Sequence, residues 1–185
     1  MQHINGPFGN FETESVPVLD SPAPAASLGL VELTGTLLPP PAPAINYDPG
    51  SQPILVADDD ADDVYFIQRL IKKTGVPNPV KTFDDGMEVV NYLGARIADA
   101  SNRRQMPLLL FLDLKMAGLG GFGFLEWARA QKGLMPLTMV VLSNSNACED
   151  VTRALELGAH RYLVKYPCVQ TITTIVRSVY PLTVF

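Results

Sequence analysis

The chain has 185 residues, of which 47% are hydrophobic and 18% charged, so it contains enough apolar material for one buried core. The formal net charge of -5 argues against a broad electrostatic grip on nucleic acid. No apolar run is long enough for a membrane span. The two cysteines, Cys148 and Cys168, form no CxxC motif, so a reduced, cytoplasmic protein is expected.

The composition changes sharply near residue 53. No Lys or Arg precedes Arg69, and most of the 16 prolines lie at or before Pro53. Proline-rich chain prefers extended backbone and cannot close a packed core. We therefore predict an extension over residues 1–52, disordered or loosely docked, and one domain over residues 53–185. The apolar segment 28–38 within the extension fits either a sticky patch or a strand that docks on the domain.

From residue 53 onward, short apolar runs alternate with segments of helical periodicity. Continuous apolar runs are typical of strands buried on both faces of a parallel sheet. Between them lie amphipathic segments, such as the one that places Val64, Ile67 and Ile71 on one helical face. Five strands alternating with five helices predict an α/β domain with a doubly wound parallel sheet. The predicted strands cover residues 54–57, 80–83, 108–112, 139–142 and 162–164.

Polar residues follow four of the five predicted strands. The first strand runs into Asp58, Asp59 and Asp60, the third into Asp113, the fourth into Ser143 and the fifth into Lys165. Open α/β sheets bind ligands at the carboxyl ends of their strands. Clustered carboxylates repel one another unless a cation lies between them, and Mg²⁺ prefers such oxygen ligands. The serine and the lysine fit a phosphoryl group held beside the metal.

These residues resemble the receiver domain of two-component response regulators. Stretches such as ILVADDDADDVYFIQRLIKKTGVPNP, LLLFLDLKM and LELGAHRYLVK are similar to single-domain regulators of cyanobacterial and bacterial phytochrome histidine kinases. The order and spacing of Asp58, Asp59, Asp113, Ser143 and Lys165 carry the resemblance. It implies a flavodoxin-like receiver fold with strand order 2-1-3-4-5.

The resemblance also implies a role for each site residue. Asp113 would be the phosphoacceptor, assisted by Ser143 and Lys165. Asp58, Asp59, Asp113 and the backbone carbonyl of Lys115 would hold Mg²⁺. Ser143 and Tyr162 would form the switch that responds to phosphorylation.

The expected function is that of a stand-alone response regulator in a phosphorelay. It would take a phosphoryl group from a sensor histidine kinase, with a phytochrome-type kinase as one candidate, and form an aspartyl phosphate. We expect no enzymatic activity beyond phosphotransfer to itself and autodephosphorylation. Output would occur by contact with a downstream protein, a relay domain or a second copy of the chain. The alternative is a pseudo-receiver adaptor, which has the same fold but binds partners without phosphorylation.

Several positions depart from the family pattern. Tyr166 follows Lys165 where relatives carry proline, so a trans bond and a differently shaped turn are expected there. The loop after Asp113 is rich in glycine, which predicts a softer loop. We hypothesise that Lys115 pairs with the bound phosphoryl group and slows its hydrolysis. His160 has no metal-ligating partner nearby in sequence and is expected to be solvated. The apolar segment 179–185 fits either a dimer surface or packing against the sheet.

Overall fold

The structure, a computed structural model, describes residues 52–99, 105–134 and 136–180. The predicted extension falls outside these residues except for its last position, and segments 28–38 and 181–185 fall outside them entirely. None of the described helices is long and apolar enough to cross a membrane.

Strands and helices alternate along the described chain. The strands are β1 (Ile54–Ala57), β2 (Val80–Phe83), β3 (Leu109–Leu112), β4 (Thr138–Ser143) and β5 (Arg161–Val164). The helices are α1 (Ala61–Lys73), α2 (Gly86–Ala98), α3 (Gly121–Arg129), α4 (Cys148–Glu156) and α5 (Val169–Val179). A short 3₁₀ turn at Lys132–Leu134 precedes β4. The predicted alternation is confirmed, with strand boundaries shifted by at most one residue.

All strand pairs are parallel, and the order across the sheet is β2-β1-β3-β4-β5. This is the order that the family resemblance implied. The chain reverses its direction of winding beside β1, so the carboxyl ends of β1 and β3 flank the point where ligands bind in such sheets.

Alternate side chains of the central strands enter two separate cores. Leu110 and Leu112 face a core that includes side chains of α2, α3 and α4. Leu109 and Phe111 face a second core shared with α1 and α5. These four side chains are fully buried, and each contributes about 1.5–3 kcal/mol by leaving water. Burial on both faces explains why the central strands are uninterrupted apolar runs.

The start of α1 is fixed by one member of the acidic run. The Asp60 side chain accepts hydrogen bonds from the backbone N–H groups of Asp62, at 2.8 Å, and Asp63, at 3.4 Å. This is an N-cap, which satisfies amide groups that lack partners within the helix. Helix capping therefore requires Asp60 and leaves the other carboxylates of the run available for other roles.

At the opposite end of the sheet, Tyr180 ties the end of α5 to the strands. Its hydroxyl accepts a hydrogen bond from the Leu108 N–H at 3.1 Å and lies 3.4 Å from the carbonyl oxygen of Pro53, to which it donates. Tyr180 is 5% exposed. Burial raises the pKa of its phenol well above the ordinary range.

Candidate phosphoryl-transfer site

The backbone hydrogen bonds between neighbouring parallel strands continue one residue beyond the ends of β1, β3 and β5. They fix the position of the first polar residue after each of these strands. The Asp58 N–H donates to the Phe83 carbonyl at 3.0 Å, and the Asp113 N–H donates to the Ala57 carbonyl at 2.8 Å. The Lys165 N–H donates to the carbonyl of Ser143 at 3.0 Å. These bonds fix the backbones of Asp58, Asp113 and Lys165 at one edge of the sheet, as the sequence predicted.

Three carboxylates converge at this edge. Oxygens of Asp58, Asp59 and Asp113 all lie within 4.8 Å of one another. Asp58 and Asp113 are buried, whereas Asp59 is exposed. Burial raises the pKa of Asp58, although its contact with Lys165 opposes the rise. A set of carboxylate oxygens open to solvent on one side suits a hard divalent cation such as Mg²⁺.

Lys165 reaches into the same cleft and contacts three carboxylates. Its ammonium lies 2.7 Å from Oδ2 of Asp58, 2.7 Å from Oδ2 of Asp63 and 3.2 Å from Oδ1 of Asp113. The Lys165 side chain is 6% exposed. Burial alone would lower its pKa, but the neighbouring carboxylates outweigh that effect and hold the pKa above its usual value. Lys165 is therefore a fixed positive charge beside Asp113.

The peptide bond between Lys165 and Tyr166 is cis. The expectation of a trans bond at this position is thus wrong. The departure from proline leaves Lys165 in contact with Asp113.

The loop after Asp113 is held on both sides of the cleft. The Lys115 N–H donates to Oδ2 of Asp113 at 2.7 Å, and the Ala117 N–H donates to Oδ2 of Asp59 at 3.0 Å. Further along, the Leu119 carbonyl accepts from the N–H of Gly86 at 2.8 Å. These contacts oppose the softness that the glycine content suggested.

Close approach of backbone explains one of the loop glycines. A Cβ atom at Gly121 would overlap the carbonyl oxygen of Asp113 and lie 2.8 Å from Cα of Leu114. The first turn of α3 therefore packs directly on the backbone of Asp113, which only glycine permits.

Ser143 and Tyr162 meet through the loop that follows β4. Ser143 is fully buried, and its Oγ accepts from the Ser145 N–H at 3.2 Å. The Tyr162 hydroxyl donates to the carbonyl of Ser145 at 2.9 Å. Burial raises the pKa of this phenol. The two residues assigned to the switch are thus linked through Ser145, whose hydroxyl also donates to Asp150.

The cleft wall contains residues that the sequence reasoning assigned and others that it missed. Lys115 and Asn144 are exposed at its rim. The sequence reasoning did not assign Asp63 to the site. Its position on the same helical face as Ile67 and Leu70 could have indicated that its carboxylate is buried. The lining comprises Asp58, Asp59, Asp60, Asp63, Asp113, Lys115, Asn144 and Lys165.

Known proteins share this fold and sequence pattern. The two-component response regulator ARR8 of Arabidopsis thaliana is 27% identical over 122 residues, covering 60% of this chain and 53% of that protein. The chain thus spans about half the length of that curated relative. Among solved structures, the phosphorylated cyanobacterial phytochrome response regulator RcpA is 27% identical with a TM-score of 0.58, covering 72% of this chain and 96% of that one.

A second solved structure shares the fold. The Mn²⁺-bound form of response regulator Rcp1 is 22% identical with a TM-score of 0.57, covering 72% of this chain and 97% of that one. The family model for the response regulator receiver domain matches residues 54–177, which include all five strands and every site residue named above. The chain therefore belongs to the response regulator receiver domain family.

Proposed function

We propose that this protein is a response regulator that accepts a phosphoryl group from a histidine kinase onto Asp113 in a Mg²⁺-dependent reaction. The observation that carries the proposal is the meeting of Asp58, Asp59, Asp113 and Lys165 in one cleft. A nucleophilic carboxylate, a cation site and a fixed ammonium are the components that phosphoryl transfer requires.

In the proposed reaction, a carboxylate oxygen of Asp113 attacks phosphorus. An O–P bond forms to Asp113 while the P–N bond to the kinase histidine breaks, and the departing imidazole nitrogen takes a proton from solvent. Lys165 offsets negative charge on the phosphoryl oxygens, and the Ser143 hydroxyl donates to one of them. Asp58, Asp59 and the Lys115 carbonyl would join Asp113 in holding Mg²⁺, which would neutralise charge on the same oxygens.

Signalling would follow through Ser143 and Tyr162. A hydroxyl drawn toward a phosphoryl group would disturb the Ser145 contacts that connect β4, α4 and β5. The ligand shifts the population only if it favours one arrangement of this loop. We propose that the altered surface is recognised by a downstream protein. The similarity to RcpA, a phytochrome response regulator, supports a phytochrome-type kinase as the donor.

Intact-mass measurement tests the proposal on the full chain. Incubation with acetyl phosphate and Mg²⁺ should add the mass of one phosphoryl group, and the gain should disappear with EDTA or in Asp113→Asn. Phosphotransfer from a phosphorylated kinase domain tests the natural donor class. If neither donor labels the protein in the presence of Mg²⁺, the pseudo-receiver adaptor replaces the proposal.

A further inference from the structure

Asp63 is a buried carboxylate to which the mechanism above gives no role. It lies in the first turn of α1, and its Oδ2 is 2.7 Å from the Lys165 ammonium. Its side chain is 7% exposed. Within the described chain, the group of carboxylates close enough to hold one metal ion contains Asp58, Asp59 and Asp113 but not Asp63. Asp63 therefore contacts the lysine from outside the metal cluster.

The same face of α1 also contacts the residue after Lys165. Phe66 lies three positions after Asp63, so the two side chains are neighbours on the helix. The Phe66 ring meets that of Tyr166 edge-on, with centroids 5.0 Å apart. The Asp63 carboxylate, close to the Tyr166 hydroxyl, raises the pKa of that phenol. Two positions on one helix thus contact two consecutive residues, Lys165 and Tyr166.

The three carboxylates around Lys165 differ in what phosphoryl transfer would do to them. Asp58 would take a metal ion, and Asp113 would become an acyl phosphate. Both would then hold the ammonium less strongly than they do in the structure. Asp63 alone among these three partners keeps its carboxylate free of metal and phosphorus throughout. A lysine side chain is long and flexible, so a permanent partner matters for its position.

We propose that Asp63 is a positioning residue that keeps the Lys165 ammonium beside Asp113 while Asp58 takes a metal ion and Asp113 takes the phosphoryl group. The inference rests on the proposed function, because its consequence is a faster transfer to Asp113. It assigns Asp63 no contact with the phosphoryl group and no metal ligand.

The test compares Asp63→Ala, Asp63→Asn and the matched control Asp62→Ala. Asp62 precedes Asp63 in the same turn of α1 and is exposed, so its loss removes the same charge without touching Lys165. The rate of phosphoryl uptake from acetyl phosphate is measured against Mg²⁺ concentration for the full chain. We expect Asp63→Ala to lower the rate at saturating Mg²⁺ by about tenfold to a hundredfold, as small misplacements of catalytic groups do. The Mg²⁺ concentration for half-maximal rate should change less than about threefold, since the metal ligands are untouched.

Asp63→Asn distinguishes positioning from folding. Its amide oxygen still accepts a hydrogen bond from the ammonium, so its rate should lie between those of Asp63→Ala and wild type. Asp62→Ala should match wild type. Equal rates for Asp63→Ala and Asp62→Ala would overturn the proposal, as would a loss in Asp63→Ala that arises wholly from weaker Mg²⁺ dependence.

A readout independent of phosphorylation separates this inference from the proposed function. Trace acetylation of lysine amines, followed by peptide mass spectrometry, reports how open Lys165 is to reagent. Lys165 should react slowly in wild type and Asp62→Ala, and at least about tenfold faster in Asp63→Ala. If wild type takes up no phosphoryl group, the proposed function fails, and with it the catalytic consequence claimed for Asp63. If the acetylation rate of Lys165 is the same in Asp63→Ala as in wild type, Asp63 does not keep the ammonium in place, and the proposal is disproved.

Discussion

The ammonium of Lys165 lies 3.2 Å from Oδ1 of Asp113, although the two residues follow different strands of the sheet. Both side chains are almost fully buried, so the contact occurs where charge is poorly screened. The lysine also offsets the charges of Asp58 and Asp63. Lys165 therefore makes the acidic cluster tolerable, in addition to the role in binding a phosphoryl group that we propose for it.

Replacing Lys165 with methionine should destabilise the protein by about 3 kcal/mol in Mg²⁺-free buffer at neutral pH, because it leaves buried carboxylates unpaired. Added Mg²⁺ should restore part of the loss and stabilise the variant more than wild type. Urea unfolding followed by circular dichroism, with and without Mg²⁺, measures both effects. The control is Lys72→Met at an exposed position on α1, which should stay within about 0.5 kcal/mol of wild type. Equal stability of Lys165→Met and wild type would contradict the argument.

Lys115 offers a separate prediction about the lifetime of the acyl phosphate. Its side chain is exposed at the rim of the cleft, and its backbone N–H already contacts Asp113. An exposed ion pair with the phosphoryl group would contribute about 0.5–1 kcal/mol. Lys115→Ala should therefore shorten the lifetime of the phosphorylated protein about two- to fivefold. Decay is followed by intact mass after removal of the donor, with Lys132→Ala as the control on the 3₁₀ turn before β4. An unchanged lifetime rejects the proposed role of Lys115.

Gly121 should tolerate no side chain. Alanine there would press a methyl group against the backbone of Asp113 and Leu114, and overpacking of this kind costs about 1–3 kcal/mol. Gly94→Ala in the interior of α2 is the matched control, since the nearest atom to its Cβ is 4.0 Å away on Trp127. That substitution should instead stabilise the protein by about 0.5–1 kcal/mol. Chemical denaturation should show that the free energy of unfolding falls in Gly121→Ala and rises in Gly94→Ala. A change of the same sign in both variants would refute the explanation.

His160 should make the stability depend on pH in the weakly acidic range. Its ring is half-buried, and Nδ1 accepts a hydrogen bond from the Met139 N–H at 3.1 Å. The expectation of a solvated side chain is therefore wrong. Burial lowers the pKa of His160 in the folded state, so the unfolded chain takes up the proton first. The stability that neutral His160 contributes is complete above the unfolded pKa of about 6.5 and is lost as the pH falls through the lower folded value.

His160→Gln should make the free energy of unfolding depend less on pH in the weakly acidic range. The raised pKa of Asp58 acts in the opposite direction in both proteins, so the difference between wild type and variant isolates the histidine. Urea unfolding between about pH 5 and pH 7.5 measures the two profiles. A slope that survives in His160→Gln would assign the dependence to other groups.

The fold and the convergence of polar side chains at one edge of the sheet were predictable because both follow from periodic signals. Apolar runs predicted the strands, and parallel strands bring their carboxyl ends to one edge, so Asp58, Asp113 and Lys165 were expected to meet. Ser143 ends β4 at the same edge, where its hydroxyl accepts from the Ser145 N–H. The contact of Asp63 with Lys165 was harder to foresee, because it depends on which side of α1 faces the residue that follows β5. A helical-face count would have placed Asp63 among buried residues but not named its partner.

Two local features could not be predicted from the sequence pattern alone. The conformation of the Lys165–Tyr166 bond depends on the surrounding structure, so the ordinary preference for a trans bond gave the wrong answer. The glycines after Asp113 predicted a flexible loop. In the structure, Gly121 instead permits close contact with the backbone of Asp113 and Leu114. At Gly121 the deciding atoms are backbone atoms of Asp113 and Leu114, which the sequence pattern does not place against the first turn of α3.

The buried phenol of Tyr180 gives the protein an internal optical marker. It lies at the amino ends of β1 and β3, remote from the acidic cleft at their carboxyl ends. In alkaline solution its ultraviolet absorbance should shift only when α5 leaves the sheet and admits hydroxide. In a variant whose five other tyrosines are replaced by phenylalanine, detachment of the last helix can therefore be timed spectroscopically while the cleft is loaded with any metal or donor.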